Sequence, residues 1–167
     1  MSRHGFTIVE LIITITIMGI LMTLAVVSVN ATQVRARDDE RKADVEAIKI
    51  ALDTYFNVGS DTDSTRGRYP TTNLTSSEAI IRSTLRDVNM QSFMAPNQTD
   101  VTESFIRATN STQTTTDVMP QPTVGQYVYQ PINNSSTLCT SGDCRKFNLY
   151  YRLESDNTVY KLMSKSQ

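Results

Sequence analysis

From Leu11 through Val34 this chain carries no charged residue, and no other feature limits its folding so strongly. Phe6 to Val29 is a 24-residue, mostly aliphatic run in which Glu10 is the only ionisable group. As an α-helix rising about 1.5 Å per residue it would be about 36 Å long, enough to cross a hydrocarbon core of about 30 Å with some tilt. A soluble helix this long and apolar on every side needs a larger protein around it. The run therefore reads as a membrane-inserting segment. A secretory signal peptide has a shorter apolar core, about 7–15 residues, followed by small residues. Val29-Asn30-Ala31 has that small-residue form, so ordinary secretion remains an alternative at this point. Charge does not fix orientation: Arg3 lies on one side, and Arg35, Arg37, Arg41 and Lys42, interleaved with acids, lie on the other.

Composition removes several other classes. Sixteen Lys+Arg against seventeen Asp+Glu give a net charge of -1, without the positive surplus that nucleic-acid contacts need. The single histidine, His4, and two cysteines make poor material for imidazole acid–base chemistry or a zinc site. No catalytic constellation stands out among the acids, so neither an enzyme nor a cofactor is expected.

Glu10 needs a reason. A carboxylate in or beside hydrocarbon costs a few kcal/mol on the order of insertion scales, so it wants a counter-charge or a polar escape. Two readings stand side by side: an acid near a helix N-terminus, favoured by the dipole, or an acid that awaits a positive charge from another molecule.

Arg3-His4-Gly5-Phe6-Thr7-Ile8-Val9-Glu10-Leu11 resembles the processing motif of type IV pilins and pseudopilins, the class III signal. That motif is a short basic leader ending in Gly, then Phe, then Thr-Leu/Ile-Val/Ile-Glu-Leu opening a long apolar helix. The resemblance implies that a prepilin peptidase cuts between Gly5 and Phe6 at the cytoplasmic face and N-methylates Phe6. It implies that Glu10 neutralises the Phe6 amine of a neighbouring subunit. At about 4 Å and an effective dielectric near 20 such a pair is worth roughly 4 kcal/mol before desolvation. Its use would be register, because a misplaced subunit leaves both charges unpaired. An extension ATPase, a platform membrane protein and related pilins are implied as partners. The route implied runs from the inner (cytoplasmic) membrane to an extracellular surface filament, with a type II secretion or competence pseudopilin and a secreted or tethered binding module as alternatives.

Beyond Val34 an apolar stripe persists at Val45, Ile48, Leu52 and Tyr55/Phe56, with helical spacing. Asp38–Lys42, Glu46–Lys49 and Lys49–Asp53 are spaced to support an exposed helix face, and the charge-rich stretch reads as a solvated flank. One helix is expected from about Phe6 to Asn57: a leader at 1–5, a membrane or filament-core half at 6–33 and an amphipathic half at 34–57. Gly19 falls where many pilins carry a helix-weakening glycine, whereas Val27 stands where many carry proline.

The remainder, 58–167, reads as a globular head of α+β class in which the long helix packs on a small antiparallel sheet. Gly67-Arg68-Tyr69-Pro70 resembles the Gly-x-Tyr-Pro turn found after the long helix in pseudopilins. A short helix is expected at about 77–89, Thr/Ser-rich surface loops with at most one short strand at 91–124, and antiparallel strands within about 126–163. Phe147, Leu149, Tyr151 and Leu153 alternate with Asn148, Tyr150 and Arg152, the pattern of a strand buried on one face only. Cys139 and Cys144 flank a turn-rich loop, and an oxidising compartment would join them as a disulfide; free thiols or a metal site are the alternatives. Asp61 and Asp63 hint at calcium, but Thr72 stands where such a loop needs Glu, so no metal is expected.

Overall fold

The computed structural model describes residues 5–59 and 66–165, apart from the side chains of 25–28. Arg3, His4, Ser60, Asp61 and Asp63 lie outside the described residues, and with them most of the leader and the calcium hint. The chain forms two compact units, Met1–Ala36 and Arg37–Gln167.

Helix α1, Ile8–Val58, runs through Gly19 and Val27 without a break. It starts at a threonine cap: the Glu10 amide donates to Thr7 Oγ1 (3.2 Å) and the Leu11 amide to the Thr7 carbonyl (3.2 Å). Thr7 and Glu10 have the spacing of a capping box, which satisfies amides left over in the first turn. The helix ends on Gly59, whose φ of 80° only glycine adopts freely, with its amide donating to the Tyr55 carbonyl at 2.7 Å.

In the second unit the elements after α1 are a 3-10 turn at Thr72–Ser76, α2 (Glu78–Thr84), a 3-10 turn at Met90–Phe93 and α3 (Val101–Ser104). Strands β1 (Phe105–Arg107), β2 (Tyr127–Asn133), β3 (Cys144–Arg152) and β4 (Val159–Met163) follow, forming one sheet in the order β1-β2-β3-β4. The α+β, pilin-like order of elements is as expected: a long helix, then a small sheet. The expected helix at 77–89 is shorter. Ser77 caps it by accepting from the Ile80 amide, but Leu85 turns extended to bury its side chain and Asp87 takes a positive φ of 51°.

The expectation of an antiparallel sheet holds for β2, β3 and β4 and is corrected at one edge, because β1 pairs with β2 in parallel. A parallel pair needs a long crossover, and residues 108–126 provide it. That crossover also corrects the second expectation, of a strand buried on one face. Toward α1 the sheet presents Tyr129, Phe147 and Leu149, packed in one cluster with Val45, Ile48, Leu52, Phe93 and Phe105. The opposite face carries Val128 and Tyr150, covered by Ala108 and Val118 of the crossover. Alternation persists, but both faces are buried.

A Thr/Ser-rich segment lies in that second layer because polar side chains of the sheet satisfy its backbone. Gln130 Nε2 donates to the Asn110 (2.9 Å) and Thr112 (3.0 Å) carbonyls, while its Oε1 accepts from Asn148 Nδ2 and the Tyr150 hydroxyl, each at 2.9 Å. Lys161 Nζ reaches the Gln113 carbonyl (2.9 Å) and Arg152 Nε the Pro122 carbonyl (2.8 Å). Buried carbonyls must find donors somewhere, and here they find them in side chains. Gln130→Ala removes the hub and orphans several buried groups. A loss of about 3 kcal/mol is expected, from roughly 1–3 kcal/mol per unsatisfied group. Thermal unfolding of the detergent-solubilised full chain, followed by tyrosine circular dichroism, checks it.

Candidate functional site

The first unit offers a surface rather than a cavity. From Phe6 to Leu24 the helix side chains are exposed on all sides, with Phe6 at 79% and Leu24 at 65%. α1 is long and apolar enough, near its N-terminus, to cross a membrane by length and composition. Thr14, Thr16 and Thr23 turn their hydroxyls back onto the carbonyls of Leu11, Ile12 and Ile20 at 2.7–2.8 Å, so their polarity is spent inside the helix. Glu10 sits in the first turn, exposed, where the helix dipole favours an acid. Gly5 and Phe6 precede the helix, both exposed. An added Cβ at Gly19 would meet no atom within 4 Å.

In the second unit the helix is fixed to the sheet by charge as well as by oil. The buried stripe Val45, Ile48 and Leu52 continues toward the N-terminus as Asp44, Arg41 and Asp38, all three buried. Asp38 accepts from Arg41 Nη1 (2.9 Å) and from the amides of Glu154 (2.8 Å) and Ser155 (3.0 Å) in the β3–β4 turn. Burial works against its charge, but the hydrogen bonds from Ser155 and Glu154 and the Arg41 guanidinium outweigh it and hold the carboxyl below its usual range. Arg37 grips Glu154 with two bonds of 2.9 and 2.6 Å, which lowers the Glu154 pKa, and Arg41 Nε donates to the Val124 carbonyl (2.8 Å). The solvated-flank reading is thus corrected on one side of the helix. Lys42 pairs with Asp39 rather than Asp38, Glu46 meets Lys49 at 3.8 Å, and Asp53 accepts from the Tyr69 hydroxyl (2.9 Å). Steps of three and four residues linking Asp38, Arg41 and Asp44 to Ile48 were the available sign, masked because charged residues are taken as exposed by default.

Cys139 and Cys144 are joined as a disulfide, both buried. The joined loop holds the Gly-x-Tyr-Pro segment: the Tyr69 amide donates to the Cys144 carbonyl (2.8 Å) and the Thr72 amide to the Cys139 carbonyl (3.2 Å). Tyr69 then packs between Phe56, tilted at a centroid distance of 4.7 Å, and Phe147, edge-on at 4.8 Å. Gly67, at φ 80°, sends its amide to the Phe56 carbonyl (2.7 Å) and closes the turn. Among the described residues no group of three His, Cys, Asp or Glu is placed to hold a metal ion.

Comparison with known proteins bears on the exposed helix. Residues 1–26 match the family described as the prokaryotic N-terminal methylation motif. The chain carries that motif. Similarity extends beyond it to the type II secretion system core protein G of Klebsiella michiganensis, 37% identical over 71 residues. The match covers 42% of this chain and 45% of that relative, so it spans less than half of the relative's length. No solved structure gives a significant match. The resemblance to pilins and pseudopilins therefore rests on the N-terminal motif and on this pseudopilin relative.

Asp44 gives a pH dependence that can be measured. Its carboxyl accepts from the Tyr127 hydroxyl (2.8 Å), and burial, helped by nearby Glu40 and opposed by that hydrogen bond, pushes its pKa from 3.8 up to about 6. A raised carboxyl pKa favours the folded state at low pH, and this advantage is lost as pH rises through about 6. The lowered Asp38 and Glu154 act in the opposite sense, but only below their ordinary range. The full chain should be more stable at pH 5 than at pH 7.5 by about 1.4 kcal/mol, or about 4 °C in Tm. In Asp44→Asn, which keeps an acceptor for Tyr127, the difference should vanish.

Proposed function

We propose that this chain is a structural subunit of a type IV pilus-like filament, held in the membrane by its N-terminal helix and polymerised through it. The observation that carries the reading is the apolar surface of that helix, exposed from Phe6 to Leu24 and lying within the methylation-motif match at residues 1–26. Such a surface must be covered by lipid or by other copies, and a filament subunit uses both in turn. In this reading a prepilin peptidase cleaves between Gly5 and Phe6 and methylates Phe6, which keeps the new amine cationic. Glu10 pairs with that amine on an adjoining subunit. Gly19 lies within an unbroken helix, so its proposed role as a weak point belongs to the assembled filament. An ATPase, a platform protein and related pilins complete the proposed assembly, and the mature filament is extracellular.

A second reading, a type II secretion pseudopilus, is favoured by one observation, the similarity to core protein G. Shearing separates the two. Abundant surface fibres containing this chain under ordinary expression support the pilus, whereas a chain confined to the envelope, with loss of protein export on its deletion, supports the pseudopilus.

Mass spectrometry of the mature chain tests both against plain secretion. N-methylated Phe6 is the expected first residue; a start near Thr32 would end the filament reading. Glu10 is tested with two variants, because its position in the first turn gives it a second role as a helix-start acid. Glu10→Gln keeps the side-chain shape and removes the charge, and Glu10→Ala removes both. Each should reduce filament yield at least tenfold while leaving processing and membrane insertion intact. Normal yield from Glu10→Gln as sole subunit would show that the charge pair is dispensable.

A further inference from the structure

Strand β4, Val159–Met163, forms one edge of the sheet, and among the strands only β3 pairs with it. The direction of its main-chain groups follows from the bonds at its two ends. The Leu153 amide donates to the Thr158 carbonyl (3.1 Å) and the Ser164 amide to the Phe147 carbonyl (3.0 Å), so Thr158 and Ser164 face β3. Along an antiparallel strand these directions alternate. Tyr160 and Leu162 therefore also face β3, and Val159, Lys161 and Met163 turn their N–H and C=O groups outward. Among the described residues no other segment bonds to those outward groups. Open edges are commonly guarded by a bulge, a proline or a lysine aimed outward. β4 pairs with β3 without a register shift and contains no proline, and its Lys161 Nζ is drawn back onto the Gln113 carbonyl (2.9 Å). Tyr160 and Met163 on this edge are 37% and 45% exposed.

We infer that the β4 edge pairs with the β4 edge of a second copy, antiparallel and about a two-fold axis at Lys161. Three properties select that occupant. The first is reciprocity of the main chain: with Lys161 opposite Lys161, Val159 meets Met163 in both directions, and every outward residue of one strand bonds to an outward residue of the other. A shift of two residues loses one of those three pairs. The second is the side chains. Val159 lies against Met163 on one face and Tyr160 against Leu162 on the other, apolar with apolar, which stabilises cross-strand pairs. The Lys161 pair is the exception, and the bond to Gln113 holds each ammonium over its own sheet. The third is charge. Beyond the strand, exposed Lys165 falls opposite Asn157 of the other copy, beside the exposed carboxylate of Asp156. A strand of unrelated sequence satisfies the main chain without this reciprocity. The inference takes its setting from the filament reading. Neighbours along one filament differ by a rise, which a two-fold contact does not permit, so the contact joins heads of two filaments. Its small area is offset by repetition along them.

Cysteine cross-linking in the full-length chain tests this. Val159→Cys and Met163→Cys copies with different tags are co-expressed, and sheared fibres and detergent-solubilised chain are both treated with copper phenanthroline; the native disulfide is buried. Opposed residues of a bonded pair lie about 5.5 Å apart at Cα, within reach of a disulfide. Two Met163 residues would stand four positions apart along the strands, about 13 Å, and out of reach. The expected result is a mixed-tag product at least fivefold above that from Met163→Cys copies alone. Lys161→Pro in both copies removes an outward N–H and leaves the bonds to β3, and should cut the product at least tenfold. Lys161→Ala, which keeps the N–H, should retain it. If Lys161→Pro lowers the Tm, Met163→Pro in the Val159→Cys copy, at the end of the strand, makes the same test. No mixed product in either fraction, an equal product from Met163→Cys copies alone, indifference to proline in the strand, or capture only of a different polypeptide would each overturn the inference. Absence of fibres from the unmodified chain counts against the filament reading alone, since the solubilised chain still decides the edge.

Discussion

The apolar part of α1 finds no cover within its own unit. Its side chains from Phe6 to Leu24 point outward on every side, and its threonines spend their hydroxyls on their own helix carbonyls. A surface of this kind is stable only against lipid or against other apolar helices. The methylation motif at the same residues and the pseudopilin relative agree with that physical requirement, although neither is needed to state it.

The same helix changes character after Val34. It becomes three-sided, with one side committed to the sheet through Val45, Ile48 and Leu52 and continued by Asp38, Arg41 and Asp44. Burying charges is costly unless each finds partners, and Asp38 and Arg41 find them in the β3–β4 turn and at Val124. These bonds fix which part of the helix meets which turn, a specificity that aliphatic contacts alone do not provide. At Asp44 burial outweighs the hydrogen bonds from Tyr127 and Ser92, and its carboxyl therefore holds its proton to a higher pH.

The long helix, its apolar stripe and the alternating strand were legible because periodicity is a property of local sequence. The turn at Gly67-Arg68-Tyr69-Pro70 and the Cys139–Cys144 pair were legible because their spacing is short. What could not be read was anything that depended on distant partners. Asn148, Tyr150 and Gln130 look like solvent-facing positions of a half-buried strand until a segment some 20–35 residues away in sequence is laid over them. The parallel pairing of β1 was hidden for the same reason, since three residues, Phe105–Arg107, carry no directional signal. Asp38 and Arg41 were hidden by the rule that charge means surface. As for the exposed N-terminal helix, the motif was plain, but the threonine cap that makes Glu10 a helix-start acid emerges only from backbone geometry.

The crossover between β1 and β2 has an evolutionary consequence. Its path is held by sheet side chains that grip backbone carbonyls, and by Asn110 and Gln121, which brace it from within. A backbone gripped in this way depends little on an exposed side chain such as Thr112, whereas Ser111 accepts from the Leu138 amide and Thr114 and Thr116 donate to Asp117, so these three take part in holding the path. A position of the Thr112 kind can change its side chain while the scaffold beneath it stays in place. In this layer the groups that hold the shape are thereby kept apart from those that only face outward.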